Sequence, residues 1–174
     1  MIRKVSNQGI DLIKKFEGLR TTSYIDSAGV WTIGYGHTLT AKPSMTISTQ
    51  EADSLLRKDL VTAEAGVMRA LTTKPYAELS QAQIDALVSF TFNVGAGAFH
   101  TSTMARLINS NAPALDVANE FARWKFAGGR VLPGLVMRRG LESQLYLSKV
   151  VDPLQALTWA VIAYLVATTM AGKD

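Results

Sequence analysis

Glu17, Asp26 and Thr32 put two carboxyl groups and a hydroxyl within one stretch of sixteen residues. Side chains of these types can cut a glycosidic bond. One carboxylic acid protonates the leaving oxygen, while a second carboxylate activates water or forms a covalent intermediate. That division of labour needs two different environments. Glu17 follows Phe16 and precedes Gly18-Leu19 at the end of an apolar helical pattern, a setting that disfavours charge on a carboxyl group. Asp26 falls in a polar strand or turn. Thr32 could help Asp26 hold a water, as donor and acceptor at once. The competing reading is a solvated surface pair, because two acids and a threonine at this spacing are common.

The elements that must carry these residues follow from period and punctuation. Ser6 is placed to cap a helix whose Ile10, Leu12, Ile13 and Phe16 recur at helical spacing, and Gly18 to end it. From Ser23 the period changes to two, with Trp31, Ile33 and Tyr35 on one face and Val30, Thr32 and Gly34 on the other. Ser27-Ala28-Gly29 supplies a turn, so a small antiparallel sheet of two or three strands is predicted. Gly34-Tyr35-Gly36 lacks the helix start that a dinucleotide-binding loop needs.

Ser48 and Glu51 spell a capping box for a long amphipathic helix with Ala52, Leu55, Leu56, Leu60, Ala63, Val67 and Leu71 on one stripe, ended by Lys74-Pro75. Ser80 and Gln83 spell a second box, for a helix with Ile84, Leu87, Val88 and Phe92 that Asn93 to Gly97 breaks. A helix from Thr101 to Asn111 follows. The next has Pro113 at its first position and carries Leu115, Ala118, Phe121, Ala122 and Trp124. Gly128-Gly129 and Pro133-Gly134 bracket a loop, and a helix over about 135–149 carries Arg138, Arg139 and Glu142. Trp31, Tyr35 and Trp124 read as core aromatics before sugar-stacking ones.

With 174 residues, 48% of them hydrophobic and 18% charged, the chain is a folded domain and not a disordered one. Its net charge of +4 suits a polyanionic partner, but the cations are scattered, which speaks against nucleic acid. No cysteine is present, so disulfides and thiol nucleophiles are excluded. His37 and His100 are the only histidines and no metal-ligand spacing appears, so no metal or other cofactor is expected. The N-terminus has no apolar run of signal-peptide length, which predicts synthesis into the cytoplasm.

Glu17-Gly-Leu-Arg20, Tyr24-Ile-Asp26 and Gly29-Val-Trp-Thr32-Ile-Gly-Tyr-Gly-His37 resemble the phage-type lysozymes, the muramidase endolysins of tailed phages (glycoside hydrolase family twenty-four). The resemblance continues through Phe90-Thr-Phe-Asn-Val-Gly-Ala-Gly-Ala-Phe99, Arg123-Trp124, Gly128-Gly129 and Arg138-Arg139, and covers roughly residues 8 to 149. It implies an α+β, mainly helical fold with a small antiparallel sheet lobe at about 18–47 and a larger helical lobe at about 75–150, in one catalytic domain over 1–150. It further implies that Glu17 is the general acid and that Asp26 and Thr32 place the attacking water. Gly36, Phe92 and Asn93 would line the sugar cleft, and His37 would pair with a carboxylate as a structural contact. The implied substrate is bacterial peptidoglycan, cut at the β-1,4 bond between N-acetylmuramic acid and N-acetylglucosamine by inversion. A holin would release the enzyme from the host cytoplasm to the wall.

Residues 151–174 depart from that pattern. Leu154 to Gly172 is nineteen residues without a charge, just long enough to cross ~30 Å of hydrocarbon, yet equally suited to a packed helix. Membrane lipid is therefore a second expected partner beside peptidoglycan. Two rivals to hydrolysis stand: a lytic transglycosylase, which needs the acid but no placed water, and an inactive wall-binding module. Asp26 with Thr32 speaks against the first, and the intact trio against the second.

Overall fold

A computed structural model describes residues 2–71 and 78–148. The first helix, α1 (Asn7–Glu17), buries Ile10 and Ile13 and ends at Gly18, whose φ of 70° lets its N–H return to the Lys14 carbonyl at 3.1 Å. Ser6 stands at the N-cap but does not cap with its side chain. Its hydroxyl and backbone N–H both donate to the buried carboxylate of Asp85 instead. Val5 N–H likewise donates to buried Glu64 at 2.9 Å, and the Arg3 guanidinium to the Leu79 carbonyl. The N-terminal strand of chain is thus strapped to two helices that come much later in sequence.

Strands β1 (Arg20–Ile25) and β2 (Trp31–Gly34) pair antiparallel, with Tyr24 opposite Thr32 and Ile25 opposite Trp31. Residues 45–47 add a partial third strand through Ser23 N–H to Met45 O and Thr21 O from Ile47 N–H, both 2.9 Å. The expected alternation along β2 does not hold, since Thr32, Ile33 and Gly34 are all buried. A strand this short is closed on both sides: a Cβ added at Gly34 would lie 3.5 Å from Ala52.

That alanine belongs to α2 (Thr49–Ala70), where the predicted capping box forms in full between Ser48 and Glu51. Lys74-Pro75, expected to end this helix, lies outside the described residues. The second box, Ser80 with Gln83, opens α3 (Gln81–Val94). This helix is central, touching α1 and α2, and its Ile84, Leu87, Val88 and Phe90 are fully buried. Gly95 stops it at φ 91°.

A short helix that was not expected, α4 (Ala96–His100), precedes the one expected from Thr101 to Asn111. The latter is α5 (Thr103–Asn109), capped by Ser102, whose hydroxyl accepts from Ala105 N–H at 3.0 Å. Asn111 closes the turn beyond it at φ 56°. Pro113 is the N-cap of α6 (Ala114–Phe121), one position earlier than expected, and Ala122 and Trp124 lie past the helix end. Trp124 still packs in the core, edge-on to Phe90 at 5.2 Å beside Phe121 at 5.4 Å from the same ring.

The bracketed loop is a hairpin, β3 (Phe126–Ala127) with β4 (Arg130–Val131), turned by Gly128 and Gly129 at φ 55° and 74°. Two consecutive positive φ angles are what a tight primed turn requires. Pro133 then opens α7 (Pro133–Leu147), two residues before the expected start, and α7 packs along α3 and α6. Among the described residues no helix is long and apolar enough to cross a membrane. The segment Leu154 to Gly172 lies outside them.

Close helix contact generates one prediction. A Cβ at Gly66 in α2 would sit 2.6 Å from Ala96 Cβ and 3.4 Å from its Cα in α4. Gly66→Ala gains about 1 kcal/mol of helix propensity but overpacks at a cost of about 1–3 kcal/mol. The expected net result in a urea titration is lower stability; an increase means that α4 yields freely.

Candidate active site

The strand–turn–strand of β1 and β2 builds one half of the site. Asp26 closes the turn: its Oδ1 accepts from the N–H groups of Ala28 and Val30, each at 2.9 Å. Its own N–H bonds Val30 O at 3.0 Å, and Gly29 N–H returns to its carbonyl at 3.0 Å. Those donors, Val30 first, outweigh the opposing desolvation and hold the carboxyl below the usual aspartate value of 3.8. Thr32 faces it across the hairpin. Only 3% of Thr32 is exposed. Its Oγ1 lies 3.4 Å from Asp26 Oδ2 and 3.1 Å from Val30 O, so one proton serves two acceptors. Oδ2 is left without a strong partner among the described residues, in reach of solvent.

Glu17 is placed by different means. The end of α1 delivers it to α7, where Arg138 Nη1 donates to its Oε1 at 2.7 Å. Its setting is therefore a half-buried ion pair, not the apolar pocket that Phe16 and Leu19 suggested; Leu19 is exposed. Arg138 is 3% exposed and is itself held by Glu142 Oε1 at 3.2 Å, by the Ser89 carbonyl at 3.2 Å, and by the Phe16 ring at 5.4 Å.

Glu142 is the hub of this network. Ser89 Oγ donates to it at 2.7 Å and Arg139 Nη2 at 3.1 Å. Arg139 Nε lies 2.9 Å from Oε2 in a geometry that makes an ion pair but no hydrogen bond. Burial pushes the Glu142 carboxyl up, against the pull of Arg139, Ser89 and Arg138. Burial also draws the Arg139 guanidinium down to about 10, which still leaves it charged at neutral pH. Arg139 Nη2 donates onward to Asn93 Oδ1 at 3.0 Å. Thus Glu17 and Asn93 hang on one cluster, with Asn93 accepting from Arg139 in the last turn of α3.

Phe92 lines a cavity of about 240 Å³ with Asp59, Thr62, Thr91 and Gly95. The buried Thr91 hydroxyl has no hydrogen-bond partner there. Gly36 is exposed at φ 93°, with open space where a side chain would stand. His37 is structural in its contacts: Nδ1 meets both oxygens of Asp59 at 2.9 Å. Thr40 N–H donates to Nε2 at 3.2 Å, which assigns the proton to Nδ1. Asp59 and Ser89 were not singled out from sequence. A signal existed for Glu142, which stands four residues after Arg138 and three after Arg139 on one helix.

The family described as phage lysozyme matches residues 14–142. The endolysin of Bacillus phage B103 is 42% identical over 147 residues, covering 83% of this chain and 54% of that protein. The endolysin of Salmonella phage P22 is 38% identical over 152 residues, covering 83% and 99%. The chain spans about half the length of the Bacillus phage endolysins that it matches. Among solved structures, the muramidase domain of SpmX from Asticaccaulis excentricus superposes with a TM-score of 0.76 at 38% identity, over 84% of this chain and 99% of that one. The endolysin from Escherichia coli O157:H7 phage FAHEc1 gives 0.75 at 33%, over 85% and 96%.

Two predictions follow from the geometry. A carboxyl whose folded pKa is depressed adds stability that is present above its unfolded value and lost as pH falls through the folded one. The Asp26 side chain should therefore titrate below 3.8 by NMR, and the hairpin should loosen only under that midpoint. A midpoint at or above 3.8 contradicts the turn geometry. Glu142→Ala strands two guanidinium groups that are 3% and 1% exposed. Breaking a buried ion cluster from one side costs about 3–5 kcal/mol, readable as a lower denaturation midpoint. A loss under 1 kcal/mol means that water or Glu17 replaces Glu142.

Proposed function

Since this chain belongs to the phage lysozyme family, we propose that it hydrolyses the β-1,4 bond between N-acetylmuramic acid and N-acetylglucosamine in bacterial peptidoglycan. Glu17 is the general acid. Asp26, kept ionised by backbone donors, stabilises positive charge developing at the sugar and, with Thr32, holds the water that attacks it. Gly36, Phe92 and Asn93 line the cleft, the glycine by leaving room for a sugar at an exposed backbone turn.

The observation that carries this reading is the asymmetry of the two carboxyl groups. Asp26 is fixed through one oxygen by two N–H donors, leaving the other beside a hydroxyl. Glu17 is fixed through Oε1 by Arg138, and its Oε2 takes no hydrogen bond from the described residues. Each group therefore keeps one oxygen able to take a further hydrogen bond in a preset position, which is what a proton donor and a water holder need. In this scheme Arg138 is a positioning residue. Peptidoglycan is the substrate and no cofactor takes part. The enzyme is made in the host cytoplasm and reaches the wall through a holin lesion, and the stretch from Leu154 to Gly172 is its contact with membrane lipid or a packed helix.

Mass spectrometry of digested peptidoglycan tests the reaction. Hydrolysis leaves new reducing N-acetylmuramic acid ends; anhydro ends mean a transglycosylase, and no products mean a binding module. Glu17→Gln should lower turnover by at least about 100-fold, the lower range for a general acid, with folding and wall binding intact. Activity within a few-fold of the parent removes Glu17 from the role.

A further inference from the structure

The hairpin β3–β4 and the first turn of α7 form a surface that the catalytic reading does not use. Phe126, Val131, Leu132, Val136 and Met137 are 42% to 60% exposed. They are five of the thirteen exposed large hydrophobic side chains among the described residues, gathered in twelve positions while the rest are scattered. Among the described residues no layer lies over the ribbon, and every residue from Phe126 to Gly134 is exposed. Phe126 and Val131 sit opposite each other in register, and Leu132 N–H bonds the Lys125 carbonyl at 3.0 Å. Their apolar area therefore adds nothing to the core, and a soluble surface gains nothing from it.

The chemistry of the patch narrows what it can meet. Between Phe126 and Met137 the only polar side chain is Arg130. A glycan, rich in hydroxyl and amide groups, would find almost no hydrogen-bond partner there. From Phe121 to Leu141 there is no acidic residue. Of the five cations in that span, Arg138 and Arg139 are committed to Glu17 and Glu142, and Arg123 pairs with Glu120 at 3.4 Å. Among the described residues Lys125 and Arg130 enter no ion pair, and Lys125 Nζ hangs 5.9 Å over the Phe126 ring. Aromatic and aliphatic tips edged by uncompensated cations, with no carboxylate between them, match an interface of acyl chains under anionic headgroups.

We propose that this ribbon is a peripheral docking surface for an anionic lipid bilayer. Phe126, Val131, Leu132 and Met137 enter the headgroup layer while Lys125 and Arg130 meet the lipid phosphates. The primed turn at Gly128-Gly129 keeps the tip narrow and presents Arg130 at its flank. The ribbon precedes the stretch Leu154 to Gly172 in sequence, and its docking does not rest on the bond that the enzyme cleaves.

Because the chain contains no cysteine, Val131→Cys in the full-length protein accepts a single environment-sensitive fluorophore, and an exposed position tolerates it. Vesicles containing phosphatidylglycerol should shift the label to the blue, and phosphatidylcholine vesicles should not. Adding Lys125→Glu and Arg130→Glu should weaken the apparent affinity at least about tenfold, as should raising the salt. No shift with anionic vesicles overturns the proposal, even if the protein sediments with them, because contact then runs through another segment. So does an equal shift with both lipids. A shift produced by soluble peptidoglycan fragments assigns the surface to the wall, and one that grows with protein concentration alone assigns it to a second copy; either overturns the lipid assignment. The label reads contact and not turnover, so its failure and a failure of the hydrolase reading are told apart.

Discussion

Glu142 carries a negative charge where water does not reach, and two guanidinium groups are spent on holding it there. Removing a carboxylate from water costs several kcal/mol, and the attraction of its partners offsets that only when the remaining donors are placed well. Here Ser89 from α3 supplies one donor, while Arg138 and Arg139 supply others from the same helix as Glu142. The ion pairs lie within α7, and what fixes α7 against α3 in register are the hydrogen bonds that cross between them, at Ser89 and Asn93, since a slide of one residue would leave buried polar groups unpaired. Arg138 reaches out to Glu17 and Arg139 to Asn93, so two residues of the proposed site are positioned by a carboxylate that never meets substrate.

The other half of the site works on a different principle. Asp26 is held by the backbone of its own turn, through contacts two and four residues away, and needs no tertiary partner to stay ionised. The His37–Asp59 contact ties the sheet to α2. A local turn sets one carboxyl and a long-range ion pair sets the other. This contrast is how one fold gives two similar side chains different surroundings at one pH.

The same contrast explains what could be read from sequence. Local devices were legible: both capping boxes, the glycine stop after Glu17 and the adjacency of Asp26 and Thr32 all depend on spacings of a few residues. The strap at Ser6 was not, because a capping serine and a serine that bonds a distant aspartate look alike until α3 is in place. The Glu17 environment was misjudged for that reason too: Phe16 and Leu19 are visible beside it, and Arg138 is not. Short elements also failed. Two-residue strands carry no period, so Gly128-Gly129 read as loop where the pair of positive φ angles makes a hairpin. The five residues of α4 are likewise too few to show a helical period, and the start of α5 was placed at Thr101 because Thr101 and Ser102 are both capping types and only the latter caps.

The ion pair between Glu17 and Arg138 has a consequence in time. Its partners are 121 positions apart, so Glu17 leaves the ribosome well before the side chain that aims it exists. At about 5–20 residues per second the interval is roughly 6–24 seconds. The turn around Asp26 can close during that interval, because everything that it needs lies within a few residues. During that interval the nascent chain can hold a closed turn at Asp26 while Glu17 still lacks its arginine, and the two halves of the proposed site are both fixed only when α7 emerges and docks.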